Sequence, residues 1–198
     1  MLAYGQVDLP VSERWRLVLG LQGLRAHRSN EAILNDVSGE VTSSQLNPRL
    51  GVLFSPSEDV QWFANVNRGF EPATMSDHTA GGAFDFTPLR AQDAWTLEVG
   101  GRGARGPVSW DLALYRSEIR DELLDFGAPG ASGFVSFTDN AGDTVHQGLE
   151  LGLDVSIAAR TLAPRGLVLT WRHIYAWNDF TFEDDPDFGD NELAGVPE

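Results

Sequence analysis

The chain has no cysteine, only two methionines, and 14 Lys and Arg residues against 29 Asp and Glu. Without cysteine, a disulfide framework and a thiolate metal site are excluded, while the redox compartment stays open. The formal net charge of −15 argues against sequence-independent nucleic-acid binding, which needs clustered cations to neutralise phosphate. An acidic surface facing water is the simplest use of that balance. No apolar run approaches the ~18 residues of a spanning helix. Met1 to Leu9 lack a basic start, an apolar centre and a cleavage site, so they do not read as a secretory signal.

What the chain does have is alternation. In Gly148-Leu149-Glu150-Leu151-Gly152-Leu153-Asp154-Val155, the aliphatic residues share one side of an extended strand. Glu150, Gly152 and Asp154 fall on the other. A sheet of such strands meets hydrocarbon on one face and water on the other, as the wall of a transmembrane β-barrel does. The pattern recurs. Trp15, Leu17, Leu19 and Leu21 alternate; so do Val60, Trp62, Ala64 and Val66; Trp95, Leu97 and Val99; Val108, Trp110, Leu112 and Leu114; and Leu167, Leu169 and Trp171.

The connections alternate too. Residues 10–13, 55–59, 104–107 and 158–165 read as short turns, whereas 29–44, 71–90, 121–143 and the acidic 183–192 read as long loops. About eight strands of ~9–15 residues result, enough for tilted bilayer crossings. Trp15, Trp62, Trp95 and Trp110 are expected near short turns, and Tyr175 and Trp177 near a long loop, as two aromatic girdles. Alternation alone leaves a soluble, ligand-carrying barrel open. Gly100, Gly148 and Gly152 among scattered charges on the non-aliphatic face, with Trp at strand ends, favour the membrane.

Five segments, in order, resemble the β-barrel of TonB-dependent outer-membrane receptors. They are Asn47-Pro48-Arg49-Leu50-Gly51; Trp62 through Gly69-Phe70-Glu71-Pro72; Leu97-Glu98-Val99-Gly100-Gly101-Arg102; Asn140-Ala141-Gly142 through Gly148-Leu149-Glu150; and Gly189-Asp190-Asn191 to Gly195-Val196-Pro197. The fourth is the most specific. The resemblance implies an all-β, antiparallel up-and-down transmembrane barrel of roughly 22 strands. Residues 1–198 would supply about eight of them, an open sheet if isolated. The family's signal peptide, TonB box and plug domain are not recognised in the chain, so a partial barrel is expected.

The resemblance further implies active uptake of a scarce solute, with a ferric siderophore or other iron chelate first among the choices. Its partners would be the TonB–ExbB–ExbD complex, acting through N-terminal parts, the solute, and outer-membrane lipid of a Gram-negative bacterium, with no nucleic acid. A complete eight-stranded outer-membrane barrel with a structural or adhesive role is the second reading.

Other motifs give way to plainer ones. Gly101-Arg102-Gly103-Ala104-Arg105-Gly106 fits a dinucleotide pattern, but Pro107 and another strand follow instead of a helix. His27, His78, His146 and His173 are scattered, and solvated positions are expected for them; Asp77-His78 is the least implausible metal-facing pair. Asp185, Asp187, Gly189 and Asp190 lack the spacing and terminal Glu of a calcium loop. No enzyme activity, catalytic residue, metal site or cofactor is expected, and no ligand-contacting residue is named. Glu98, Arg102, Glu150, Asp154 and Arg172 share the lumen side and are expected to pair with one another or face a plug.

Overall fold

The structure, a computed structural model, describes residues 1–32, 37–79, 86–130, 133–159 and 167–195. Its strands are β1 (Leu2–Pro10), β2 (Trp15–Ala32), β3 (Val37–Ser57), β4 (Val60–Glu71), β5 (Gln92–Arg105), β6 (Val108–Arg120), β7 (Leu123–Gly130), β8 (Gly133–Asn140), β9 (Asp143–Ala159) and β10 (Leu167–Glu183). Eight form one sheet in the order β1-β2-β3-β4-β5-β6-β9-β10, and β7 pairs with β8 alone. All pairings are antiparallel. The sheet is open. β1 and β10 occupy opposite edges and do not pair with each other, so the described residues do not form a closed eight-stranded barrel.

Register carries each aliphatic stripe onto one continuous face. Leu19 stands opposite Leu50, and Leu50 opposite Val66. Val66 meets Leu97, and two residues nearer the short turns the row Ala64, Val99, Leu114, Leu149, Trp177 crosses β4, β5, β6, β9 and β10. A slip of one residue at any pair would turn a whole stripe to the wrong side. These side chains do not enclose a centre: Leu50, Leu97 and Trp171 are 50%, 54% and 53% exposed. On β3 the stripe runs from Leu46 to Phe54, about 26 Å along the strand. At a tilt of ~40° that is about 20 Å of bilayer normal, close to the apolar band of an outer-membrane barrel.

Aromatic residues border this band. At the short-turn end stand Trp15, stacked on Phe54 at 4.4 Å, Trp62 beside Trp110 at 5.6 Å, and Trp171 opposite Val155. The expectation for Trp95 is corrected. It starts β5 at the long-loop end, opposite Arg68, whose guanidinium lies 5.8 Å from the ring centre. The short turn at 104–107 lies at the opposite end of β5.

Two expected loops contain strand. Residues 29–32 and 37–44 continue β2 and β3, paired from Arg25↔Ser44 to Ala32↔Val37, beyond the end of the β3–β4 ladder at Arg49↔Asn67. Residues 121–143 hold the β7–β8 hairpin. The turn at 106–107 is a tight one, with Gly106 at φ +62°, so the glycine run serves a hairpin as expected. Most of the turn expected at 158–165 lies outside the described residues.

Candidate functional site in the inner wall and at its loop end

The face opposite the aliphatic one carries the polar wall. Asp8, Asn65, Glu98, Tyr115, Gly148 and Asn178 fall in one row across β1, β4, β5, β6, β9 and β10. Arg172 makes a two-pronged bond to Asp154 (2.7 and 3.2 Å). Asn65 donates to Glu98 (2.8 Å), and Arg102 donates to Gln61 (2.7 and 3.2 Å). Of the five expected lumen residues, only Asp154 and Arg172 pair with each other. Glu98 is satisfied by an amide, and among the described residues Glu150 has no hydrogen-bond partner.

The glycines of this wall are covered by neighbours. Tyr115 passes over Gly148 and donates to Asn178 at 2.8 Å, while the Asp111 carboxylate lies over Gly152. A side chain at either position would occupy space already taken. Small residues here let the wall's polar groups lie flat against the backbone.

At the loop end, β7–β8 is fastened at its base. The Asn140 amide donates to the carbonyls of Arg90 and Asp121 (both 2.9 Å), and its oxygen accepts from the Arg90 N–H at 2.7 Å. Asp121, held at φ +53°, also bridges Arg90 at 2.8 Å. One side chain at the end of β8 therefore joins the connection before β5 to the one after β6. The next residues repeat the theme. Ala141 N–H donates to the Glu122 carbonyl (2.8 Å) and Gly142 N–H to Asp185 (3.1 Å).

Glu122 is 8% exposed and turns inward onto β9. Its Oε2 accepts from the fully buried Thr144 hydroxyl and from His146 Nε2 at 3.2 Å. The His146 ring lies flat on Phe180, 4.0 Å between centres with planes 4° apart. Burial pushes the Glu122 carboxyl up, yet the bonds from His146 and Thr144 and the charge of His146 outweigh it. The net direction is below the ordinary carboxylate range. Beside this group, Ala141, Phe182 and Leu193 are buried together, with Leu124, Phe126 and Phe180 packed against them.

The segment after β10 is ordered by its own carboxylates. Asp185 accepts from the N–H groups of Asp187 and Phe188, both at 2.9 Å. Bonds from Phe188 and then Asp187, with a smaller one from Gly142, hold its carboxyl below the usual range despite some desolvation. Asn191 and Leu193 return alongside Phe182 and Phe180 as an antiparallel extension. The aspartates thus act as turn formers.

His78 corrects the expectation of a solvated histidine. It is 1% exposed, accepts at Nδ1 from Leu89 N–H (3.1 Å) and packs on Phe86. Asp77 caps Thr74 instead of joining it. His27 bonds Thr42 on the outward side of β2, and His173 stacks on Trp171. Among the described residues no group of three His, Cys, Asp or Glu is placed to hold a metal ion. The pairing of Glu122 with His146, 24 residues apart, had no spacing signature by which to find it.

Residues 2–198 match the family "TonB dependent receptor-like, beta-barrel". The chain is 35% identical over 154 residues to the metal-pseudopaline receptor CntO of Pseudomonas aeruginosa (strain UCBPP-PA14), covering 74% of this chain and 20% of that protein. It thus spans about a fifth of that curated relative. Among solved structures, it resembles the copper transporter OprC (TM-score 0.78, 16% identity, 99% of this chain and 30% of the other). It also resembles the ferric yersiniabactin receptor FyuA of Yersinia pestis (0.74, 18%, 99% and 29%) and the ferric citrate transporter FecA (0.72, 17%, 99% and 28%).

Proposed function

Because the chain belongs to the TonB-dependent receptor family, as a stretch of its β-barrel, we propose that the protein carrying it imports a scarce metal chelate across the outer membrane of a Gram-negative bacterium. A ferric siderophore or other iron chelate is the first choice. The observation that carries this reading is the two-faced sheet: one register-locked aliphatic face against lipid, one polar face toward a lumen. In the intact receptor, residues 1–198 act as wall and outer loops, and a plug domain fills the lumen. The unpaired Glu150 and the amide-held Glu98 face that plug, and cationic groups on it would neutralise them.

Transport, with no catalytic step, is then the whole task. The energy comes from TonB–ExbB–ExbD acting on the plug. The related receptor's name, metal-pseudopaline receptor, specifies no one metal, which leaves room for a second reading in which the chelated metal is other than iron. One experiment addresses both. Cells carrying the intact receptor, a receptor-deletion strain and a TonB-deletion strain are given chelates of radioactive iron, zinc, nickel or copper. Accumulation that needs both receptor and TonB supports the proposal and names the metal. Equal accumulation in all three strains for every chelate refutes it.

A further inference from the structure

We propose that the arginines bordering the aliphatic face at its long-loop end bind the phosphate groups of an anionic glycolipid in the outer leaflet of the membrane. Three strands that climb from a short turn toward a long loop, β2, β4 and β6, each end their aliphatic stripe in arginine. On β2, Leu19 and Leu21 lead through Gly23 to Arg25. On β4, Ala64 and Val66 lead to Arg68, and on β6, Leu112 and Leu114 lead to Arg116. Register keeps all three on the lipid side, since Arg25 stands opposite Ser44, Arg68 opposite Trp95 and Arg116 opposite Leu97. Arg120, farther along β6, stands opposite Asp93 on the same side. Alternate strands of a sheet lie about 10 Å apart, so these side chains form a row along the border and not a single cluster.

The row has donors to spare. Arg68 is the most engaged: it holds Asp93 through Nε and Nη2 at 2.8 and 2.6 Å. Arg116 reaches Glu118 only at 3.4 Å, donates to Gln147 at 2.9 Å and stays 45% exposed. Arg25 and Arg120 are exposed, and their guanidinium groups have no hydrogen bond or ion pair among the described residues. Four arginines thus stand beside two carboxylates, Asp93 and Glu118, in a chain whose acids outnumber its bases about two to one. The next acid at this level, Asp179 of β10, is held by the Gln147 amide at 2.9 Å. The opposite border has no such row: Arg105, opposite Val108, is the one arginine on the outward side of the described strands there. Trp95, 44% exposed, sits between β4 and β6 at the depth where hydrocarbon gives way to head groups. Cations at that depth attract anionic lipid, and the planar fork of a guanidinium matches phosphate.

This placement rests on the reading that the aliphatic face meets lipid with the long loops outward. The purified intact receptor in detergent is titrated with the phosphorylated glycolipid of the outer leaflet and with the same lipid stripped of phosphate, and bound lipid is counted by native mass spectrometry. The phosphorylated form should bind on the order of tenfold more tightly, and inorganic phosphate at equal concentration should not displace it. Arg116→Gln with Arg120→Gln should weaken binding on the order of tenfold, and Arg116→Lys with Arg120→Lys should restore most of it. Should the double glutamine variant fail to fold, Arg25→Gln reads the same border and should weaken binding about twofold to fivefold. Arg105→Gln should change nothing. Equal affinity for the two lipids, displacement by inorganic phosphate, or undiminished binding in the glutamine variants overturns the row. Weakening by Arg105→Gln alone puts the glycolipid at the opposite border and overturns the outward placement of the long loops as well. Metal uptake by cells carrying the same variants is read separately. Uptake that needs receptor and TonB, without selective glycolipid binding, removes the lipid row and leaves transport standing; selective binding without such uptake does the reverse.

Discussion

Three glycines on the main sheet should respond to alanine in three different ways, because their surroundings differ in what can yield. At Gly148 an added Cβ would stand 2.5 Å from the Trp177 carbonyl oxygen and 2.6 Å from the Tyr115 hydroxyl. That is roughly 1 Å inside ordinary contact. The carbonyl belongs to the β9–β10 ladder and cannot swing away without parting the strands. Overpacking of this kind costs about 1–3 kcal/mol, against ~0.4–1 kcal/mol gained by restricting the unfolded chain. Gly148→Ala should therefore destabilise by about 1–2 kcal/mol. At Gly152 the obstacle is the Asp111 carboxylate, a side chain free to rotate, so Gly152→Ala should change stability by less than ~0.5 kcal/mol. Gly5 has nothing within 4 Å, and its alanine variant should be neutral or slightly more stable. Denaturant unfolding of the intact receptor in bilayers, followed by tryptophan fluorescence, ranks the three. Gly148→Ala as stable as wild type, or Gly152→Ala the more damaging, would refute the reasoning.

Other perturbations probe the faces and the clasps. Leu112→Arg, in the middle of the aliphatic face between Gly101 and Leu151, should cost about 2–4 kcal/mol in a bilayer. Ala113→Arg, beside Glu150 on the polar face, should cost far less, and the same unfolding assay compares them. Asn140→Ala removes three hydrogen bonds; it should lower exchange protection around Arg90 and Asp121 by about tenfold while sparing β5 and β6. The turn after β10 should hold above the ordinary carboxylate range and loosen as pH falls through the lowered range of Asp185. Asp185→Asn should remove that acid transition from the exchange of Asp187 and Phe188. The separate segment 1–198, with both sheet edges open, should associate in the absence of detergent, and light scattering during gel filtration would reveal a monomer if it does not.

The main sheet was legible because its signal is strictly periodic. Leu149, Leu151, Leu153 and Val155 announce a face, and the register places Leu112, Leu114 and Trp177 on that same face. What escaped were strands without an apolar side. Arg25 to Ala32 and Val37 to Ser44 carry no continuous apolar stripe on either face, so their backbone pairing leaves little compositional trace. In β7 and β8, Gly127, Pro129 and Gly130 mimic an irregular loop, although Phe126 and Phe137 meet across the hairpin with ring centres 6.0 Å apart. The Asn140-Ala141-Gly142 element could be recognised as a pattern long before its physical role was visible. Its role lies in contacts to residues 90, 121, 122 and 185, and none of these is near it in sequence. His146 was readable as a wall residue; its partner Glu122 and the stacked Phe180 were not.

Single cysteines placed in turn at positions 149 to 155, on a chain that has none of its own, permit a spin-label scan of β9 in lipid bilayers. If the odd-numbered side chains touch hydrocarbon, collisions with oxygen peak at 149, 151, 153 and 155, and collisions with a water-soluble nickel complex peak at 150, 152 and 154. Profiles in the opposite phase, or with no two-residue alternation at all, would contradict a lipid-facing wall.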